Sequence, residues 1–247
     1  MISRIISAIN NAGDDKSQLS KKVRYERKFV VGLLDIKQLE SIIRHHPAAF
    51  REIFQKRQVN NIYLDTIDHK TYFDNVYGNT NRIKVRIRWY GETFGEVEKP
   101  VLELKIKSGL AGRKESFPLA SFILNNEFSR DTLAHVFSQS GLPPWVREKL
   151  AGYFPVLLNN YIRKYFVSAD EKVRATLDGQ MKYYAIAARN NNFLKKYEEK
   201  KNIILELKYD LDSAYVASDI CQHLPMRMTK SSKYVNGIEL FNPHLPT

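Results

Sequence analysis

The chain has 247 residues, 43% of them hydrophobic, which is enough to bury a sizeable core in one domain. No run approaches the ~20 apolar residues that a membrane-spanning helix needs. Lysine and arginine total 39 against 27 aspartates and glutamates, a formal net charge of +12. That excess points to a polyanion as partner, whether nucleic acid, an anionic membrane surface or a phosphate ester. The single cysteine, Cys221, excludes an internal disulfide and fits a reducing, cytoplasmic setting.

Residues 1–22 read as a mobile N-terminal extension. The segment MISRIISAINNAGDD loses its apolar character at Asn10, too early for the core of a signal peptide. Ile2, Ile5, Ile6 and Ile9 share a helical spacing, a stripe suited to packing on the protein. One domain, 23–247, follows. Period-two alternation predicts a strand over 24–32. Asp35, with Gln38 three residues on, then predicts a capped helix carrying Ile36, Leu39, Ile42 and Ile43 as far as Pro47.

Strands are expected next at 60–65, 82–90, 101–107 and 112–118. Asp65 and Asp68 read as turn formers. The run Gly109-Leu110-Ala111-Gly112 lacks the G-x-x-x-x-G-K-[ST] pattern and reads as a hairpin turn. Asp131 is placed at the cap of a short helix carrying Leu133, Val136 and Phe137, and Pro143-Pro144 at the opening of another. Strands are expected at 160–167, 172–178, 181–187 and 203–209. Ser213 starts a helix with Val216 and Ile220, whose apolar face also takes Cys221, and a last strand is placed at 226–230. His45-His46 have no third ligand nearby for zinc. Lys195, Lys196, Lys200 and Lys201 read as an exposed connection that also suits an anionic lipid surface or a membrane protein partner.

The strands carry two chemically different faces. Ile83, Val85, Ile87 and Trp89 oppose Arg82, Lys84, Arg86, Arg88 and Tyr90. Leu102, Leu104 and Ile106 oppose Glu103, Lys105 and Lys107. Leu205 and Leu207 oppose Glu206 and Lys208, while Glu26 and Lys28 share a face of the first strand. Any one of these strands alone reads as an amphipathic strand with its charged face in water. Together they present cations in register with one glutamate each, and Tyr63, Tyr90, Tyr161 and Tyr165 add hydroxyls. If helices cover the apolar face, the charged face looks outward or into a barrel lumen. A cation-lined lumen makes sense around a dense polyanion such as polyphosphate, whose oxygens accept forked bonds from arginine. Glu26, Glu103 and Glu206 suit a hard divalent cation, Mg²⁺ or Mn²⁺, beside the phosphates.

Nine stretches in order carry a family resemblance. They are Tyr25-Glu26-Arg27-Lys28-Phe29, Asn61-Ile62-Tyr63-Leu64-Asp65-Thr66, Val85-Arg86-Ile87-Arg88-Trp89-Tyr90-Gly91, Leu102-Glu103-Leu104-Lys105-Ile106-Lys107 and Gly112-Arg113-Lys114-Glu115-Ser116-Phe117-Pro118. Tyr161-Ile162-Arg163, Val173-Arg174-Ala175-Thr176-Leu177-Asp178, Leu205-Glu206-Leu207-Lys208 and Lys230-Ser231-Ser232-Lys233-Tyr234 complete the set. In these the chain resembles the polyphosphate polymerase domain of the vacuolar transporter chaperone (VTC) complex, in a stand-alone bacterial form. That domain belongs to the CYTH, or triphosphate tunnel metalloenzyme, superfamily.

The resemblance implies a mostly β (α+β) fold, an eight-stranded antiparallel β tunnel with a few peripheral helices. It implies Lys28, Arg86, Arg88, Lys105, Lys114, Arg163 and Lys233 as phosphate contacts. Lys107 and Arg174 join them as substrate-binding residues, together with Tyr63 and Lys208, and Ser232 brings a hydroxyl to the terminal phosphate. Glu206 matches the family's metal-binding glutamate. The implied partners are ATP and inorganic polyphosphate, and the implied reaction passes the ATP γ-phosphate to the polymer. Where the hydrolase branch of the superfamily carries E-x-E-x-K on its first strand, Arg24 replaces the first carboxylate, which favours the polymerase branch. The regulatory SPX domain of eukaryotic relatives is not found. Three alternatives stay open: a tunnel triphosphatase, a polyphosphate-binding module without turnover, and a basic RNA-binding β-domain, with nucleic acid the least favoured partner.

Overall fold

A computed structural model describes residues 24–108, 111–187, 189 and 191–245. The expected extension over 1–22 and its isoleucine stripe lie outside them, as do Gly109 and Leu110 of the expected hairpin turn. The flanking Ser108 and Ala111 pair directly.

In chain order the strands are β1 (Arg24–Val31), β2 (Arg51–Asp65), β3 (Arg82–Tyr90), β4 (Gly95–Val97), β5 (Val101–Ser108), β6 (Ala111–Pro118), β7 (Phe122–Leu124), β8 (Phe154–Val167), β9 (Val173–Ala185), β10 (Lys196–Glu198) and β11 (Ile203–Asp210). The helices are α1 (Ile36–Arg44), α2 (Lys70–Val76), α3 (Arg130–Gln139), α4 (Pro144–Leu150), α5 (Ala214–Gln222) and α6 (Lys233–Phe241).

The main sheet is antiparallel and runs β1-β11-β9-β8-β2-β3-β5-β6, with β10 added beside β9; β4 and β7 form a small second sheet. It is the expected eight-stranded path, curled into a half-barrel. Helices cover its convex side in two groups. Leu39 and Ile43 of α1 and Ala217 and Ile220 of α5 pack with Phe29, Val31, Leu205 and Leu207. Leu133 and Val136 of α3 and Val146 and Leu150 of α4 pack with Val85, Ile87, Leu102 and Leu104. The apolar members of each alternating strand are thereby buried on the outside, which leaves the charged members on the concave side.

The concave side has its own, smaller apolar floor. Tyr234 and Ile238 of α6 pack against Val59, Tyr63, Leu157, Tyr161, Met181, Tyr183 and Ile204. At Gly237 the helix meets the sheet so closely that a Cβ would stand 2.8 Å from Tyr183 Cδ1 and closer still to Leu157 Cδ2. Asp65, fully buried at the end of β2, ties this arrangement together. Its oxygens accept from Thr66 N (2.8 Å), Thr71 N (2.7 Å), Tyr72 N (3.0 Å) and the Tyr234 hydroxyl. A residue expected to form a turn therefore also satisfies free amides at the start of α2 and anchors α6.

Side-chain caps open three of the six described helices, those that begin after Asp35, Ser129 and Ser232. Asp35 Oδ1 accepts from Lys37 N (2.7 Å) and Gln38 N (2.9 Å), and Gln38 Oε1 accepts in turn from Asp35 N, the expected capping box. Pro144 opens α4 and Ser213 precedes α5, as expected. The cap of α3 is Ser129, reciprocated by Thr132, and Asp131 instead sits in the first turn.

Four strand boundaries also differ. Segment 226–230 is no strand: it has no buried face, and Thr229 alone ties it to β1, donating to Lys28 O at 2.8 Å. The separate strands expected at 172–178 and 181–187 are one, β9, crossing an irregularity where Gln180 takes φ +53°. β2 begins nine residues before the expected 60, because its exposed first half has no apolar alternation to read. β8 likewise starts at Phe154 instead of 160.

Candidate functional site

Alternation along the strands and their register place the charged side chains in rows across the concave face. Lys28 on β1 lies opposite Glu206 on β11, which lies opposite Thr176 on β9, which lies opposite Tyr165 on β8. On the other flank Arg86 faces Glu103 and then Ser116, while Lys84 faces Lys105 and then Lys114. The predicted cations from both ends of the chain thus line one lumen.

Glu103 gathers the first group. Its carboxylate accepts from Arg86 Nε at 2.7 Å, is paired with Lys114 Nζ, and has Arg88 Nη1 at 3.8 Å. Burial alone would raise its pKa, but Arg86, Arg88 and Lys114 hold it down to about 2. Arg88 is fixed further by bonds from Nε to Asn61 Oδ1 (3.0 Å) and from Nη2 to the Tyr161 hydroxyl (3.2 Å).

Asp178 gathers the second group. Arg163 forks onto it with Nε to Oδ1 at 2.6 Å and Nη2 to Oδ2 at 2.7 Å, and Lys233 Nζ adds a bond to Oδ2 at 2.6 Å. Asp178 is fully buried, and the two cations outweigh the burial to hold its pKa at about 2. Both cations also lie over the Tyr161 ring, at 5.3 Å and 4.5 Å from its centre. Burial would raise the Tyr161 phenol; Arg163 and Arg88 lower it instead. Asp178 was not among the expected site residues. A buried aspartate on a strand reads as a turn residue until its two partners are known to converge on it.

Glu26 and Glu206 form a third group with lysines. Lys28 Nζ stands 3.7 Å from Glu26 and 3.8 Å from Glu206, Lys208 is 2.8 Å from Glu206, and Lys105 is 3.1 Å from Glu26. Burial and mutual repulsion raise the Glu26 pKa, and Lys105 and Lys28 bring it below the usual carboxylate value. No group of three metal-ligating side chains occurs among the described residues. The three expected metal ligands therefore divide: Glu103 is enclosed by its cations, while Glu206 and Glu26 converge on one lysine. Two carboxylates brought together in this way would suit a hard divalent cation.

Lys84 differs from all of these. It donates to Ser232 Oγ at 3.0 Å and has no carboxylate partner among the described residues. Burial, with Lys28, Lys105, Arg82 and Arg86 around it, pushes its pKa down to about 7. It too lay outside the expected set, since an R-x-K-x-R-x-R row gives no sign of which member is the most enclosed.

The remaining expected residues sit nearby. Lys107, opposite Arg82, and Arg174, opposite Lys208, stand at the rim of the lumen without a carboxylate partner among the described residues. Tyr63 packs its ring on Tyr234 at 5.2 Å. Ser232 caps α6, accepting from Val235 N as well as from Lys84. Three buried polar atoms on this surface, Asn61 Nδ2, Thr176 Oγ1 and Ser231 Oγ, have no protein partner. Elsewhere, Ala48 N donates to His46 Nδ1 and Nε2 donates to Ile220 O, so that histidine is satisfied as a core residue. Cys221 is half-buried against the α1–α5 core.

A family model described as the VTC domain matches residues 23–242. A search of curated proteins gives no match. Among solved structures, a candidate adenylate cyclase from Vibrio parahaemolyticus is 12% identical over 90% of this chain and 98% of its own, with a TM-score of 0.49. The PH1819 protein from Pyrococcus horikoshii is 12% identical over 89% and 98%, with a TM-score of 0.48. A candidate adenylyl cyclase of Hippeastrum, described as having a dominant triphosphatase activity, is 12% identical over 90% and 98%, also with a TM-score of 0.48.

Proposed function

The chain belongs to the VTC domain family, and from that premise we propose that it is a metal-dependent polyphosphate polymerase. In this reading the γ-phosphoryl group of ATP moves to the terminal oxygen of a polyphosphate chain. The bond from the γ-phosphorus to the β–γ bridging oxygen breaks, a new P–O–P link forms, and ADP leaves. The observation that carries the proposal is the surplus of luminal cations over carboxylates. Glu26, Glu103, Asp178 and Glu206 are shared among Lys28, Arg86, Arg88, Lys105, Lys114, Arg163, Lys208 and Lys233, and Lys84, Lys107 and Arg174 have no acidic partner among the described residues.

Phosphoryl transfer asks a protein mainly for positioning and for neutralisation of the equatorial oxygens. Arg86, Arg88 and Arg163 supply rigid forked donors, already oriented by their carboxylates and by Tyr161. Lys28, Lys105 and Lys114 supply more mobile point charges. Lys233 and the Ser232 hydroxyl, at the N-terminal end of α6, meet phosphates beside the α6 floor. Glu206 and Glu26 are the residues that would hold a divalent cation, Mn²⁺ or Mg²⁺. Such an ion supplies Lewis-acid stabilisation of phosphate oxygens when bound.

The test is incubation of the purified protein with ATP and Mn²⁺ or Mg²⁺, resolving products by gel electrophoresis and phosphorus NMR. Arg88→Ala and Glu206→Ala variants run alongside. Long-chain polyphosphate with stoichiometric ADP, lost in both variants, supports the polymerase. Orthophosphate without chains identifies a tunnel triphosphatase, and Arg88-dependent polyphosphate binding without turnover identifies a binding module.

A further inference from the structure

The first half of β2 carries an arrangement that the phosphate chemistry does not use. Residues 54 and 57 are an odd number apart, so in a regular strand their side chains would point to opposite faces. The ladder with β8 is irregular between Glu52 and Phe54 and again between Phe54 and Arg57. That irregularity turns both side chains to one side, and the Arg57 guanidinium carbon lies 5.1 Å from the centre of the Phe54 ring. Bulges of this kind re-aim side chains beside binding sites.

Two more rings complete the cluster. Arg57 is 5.7 Å from the Tyr90 ring and 5.8 Å from the Tyr165 ring, and Phe54 meets Tyr165 edge-on at 5.7 Å. Phe54 and Tyr90 remain 50% and 53% exposed. The cluster adjoins the lumen directly. Arg57 pairs with Arg163 across β2 and β8, Val59 pairs with both Tyr90 and Tyr161, and Tyr165 pairs with Thr176 beside Glu206. It stands at the end of the lumen away from the α6 floor. Arg57 has no carboxylate partner among the described residues. Exposed rings held upright by a guanidinium, next to a row of phosphate-binding cations, are suited to a ligand with a flat aromatic part and a polyanionic tail.

We propose that Phe54, Tyr90 and Tyr165, gathered around Arg57, form a stacking platform for the base of a nucleoside triphosphate whose phosphates lie among the luminal cations. This rests on the reading of the lumen as a phosphate site. The platform offers ring faces and one guanidinium, so it grips a base by its π surface and does not select one base over another. Affinity for ATP and GTP is then similar, and both exceed that of inorganic tripolyphosphate by the contribution of stacking.

The experiment measures binding of ATP, GTP and inorganic tripolyphosphate by calorimetry. It compares the unaltered protein with a Phe54→Ala/Tyr90→Ala double variant and a Tyr90→Phe variant, whose folding is checked by circular dichroism. In the double variant ATP and GTP are expected to weaken about tenfold or more. Tripolyphosphate should change less than twofold, and Tyr90→Phe should bind like the parent. Equal losses for ATP and tripolyphosphate, or no loss for ATP, would overturn the platform while leaving the phosphate site intact. Absence of tripolyphosphate binding to the parent would overturn the phosphate site itself, and the platform with it. Single-stranded RNA bound more tightly than ATP, and lost in the double variant, would reassign the rings to nucleic acid.

Discussion

Lys105 Nζ lies 3.1 Å from Glu26 Oε1, although β5 and β1 stand near opposite ends of the sheet path. The contact spans the lumen and holds its flanks together by charge. Lys105 is more than half exposed, so the pair contributes under about 1 kcal/mol to stability. Lys105→Ala should leave thermal unfolding nearly unchanged. Loss of one charged phosphate bond costs about 1.5–3 kcal/mol, so its tripolyphosphate Kd should rise about tenfold or more. A large fall in melting temperature with unchanged affinity would refute this division.

Asp178 predicts the opposite balance. Removing a buried carboxylate strands Arg163 and Lys233, and breaking such a group costs about 3–5 kcal/mol. Asp178→Ala should lower the denaturation midpoint accordingly, and tripolyphosphate should restore much of the loss by supplying the missing negative charge. The same group governs acid behaviour. Its folded pKa of about 2 lies below the ordinary 3.8, so its stabilisation is complete above the ordinary value and is lost as pH falls towards 2. The variant's stability should change less than the parent's over that interval.

Lys84 gives a prediction near neutral pH. Its folded pKa of about 7 lies below the ordinary 10.5, so the unfolded chain holds a proton that the folded molecule gives up between those values. Stability without ligand should therefore rise from about pH 7 towards 10.5 through this group. Polyphosphate favours the charged form, so binding above pH 7 should draw in up to one proton. Calorimetry in two buffers of different ionisation enthalpy measures it, and Lys84→Arg, which keeps its charge, should abolish it. Uptake unchanged in that variant would assign the proton elsewhere.

Gly237→Ala forces a methyl group onto Leu157 and the Tyr183 ring. Overpacking of this kind costs about 1–3 kcal/mol. Because α6 carries Ser232 and Lys233 at its start, its displacement should also weaken tripolyphosphate binding, measured beside the stability change. Full affinity in a destabilised variant would show that the helix end is not held by this contact.

The two-faced strands were legible because period two separates Ile83, Val85 and Ile87 from Arg82, Lys84, Arg86 and Arg88 without knowledge of any partner. The outer half of β2 was not, because Arg51, Gln55, Lys56 and Arg57 are exposed and nothing in their order distinguishes strand from loop. α6 is hidden by a Gly in its middle and by the lysines and serines before it, whose chemistry suits a binding stretch as well as a helix start. Asp65 and Asp178 show the same limit from the other side. Each is a short acidic side chain whose role is set by groups distant in the chain, Tyr234 for one and Lys233 for the other.

The pairing of β1 with β11 has a consequence for how the molecule comes into being. In the described sheet β1 stands at one end of the path, and its ladder partner is 203–210, near the far end of the chain. Contacts of such separation form late, and synthesis proceeds from the N-terminus. During translation Lys28 therefore waits, without Glu206 or the Ser231 carbonyl, until the residues that carry them have emerged. The lumen is incomplete until these sequence-distant partners meet, so before then the chain offers scattered lysines instead of a finished grip for polyanions.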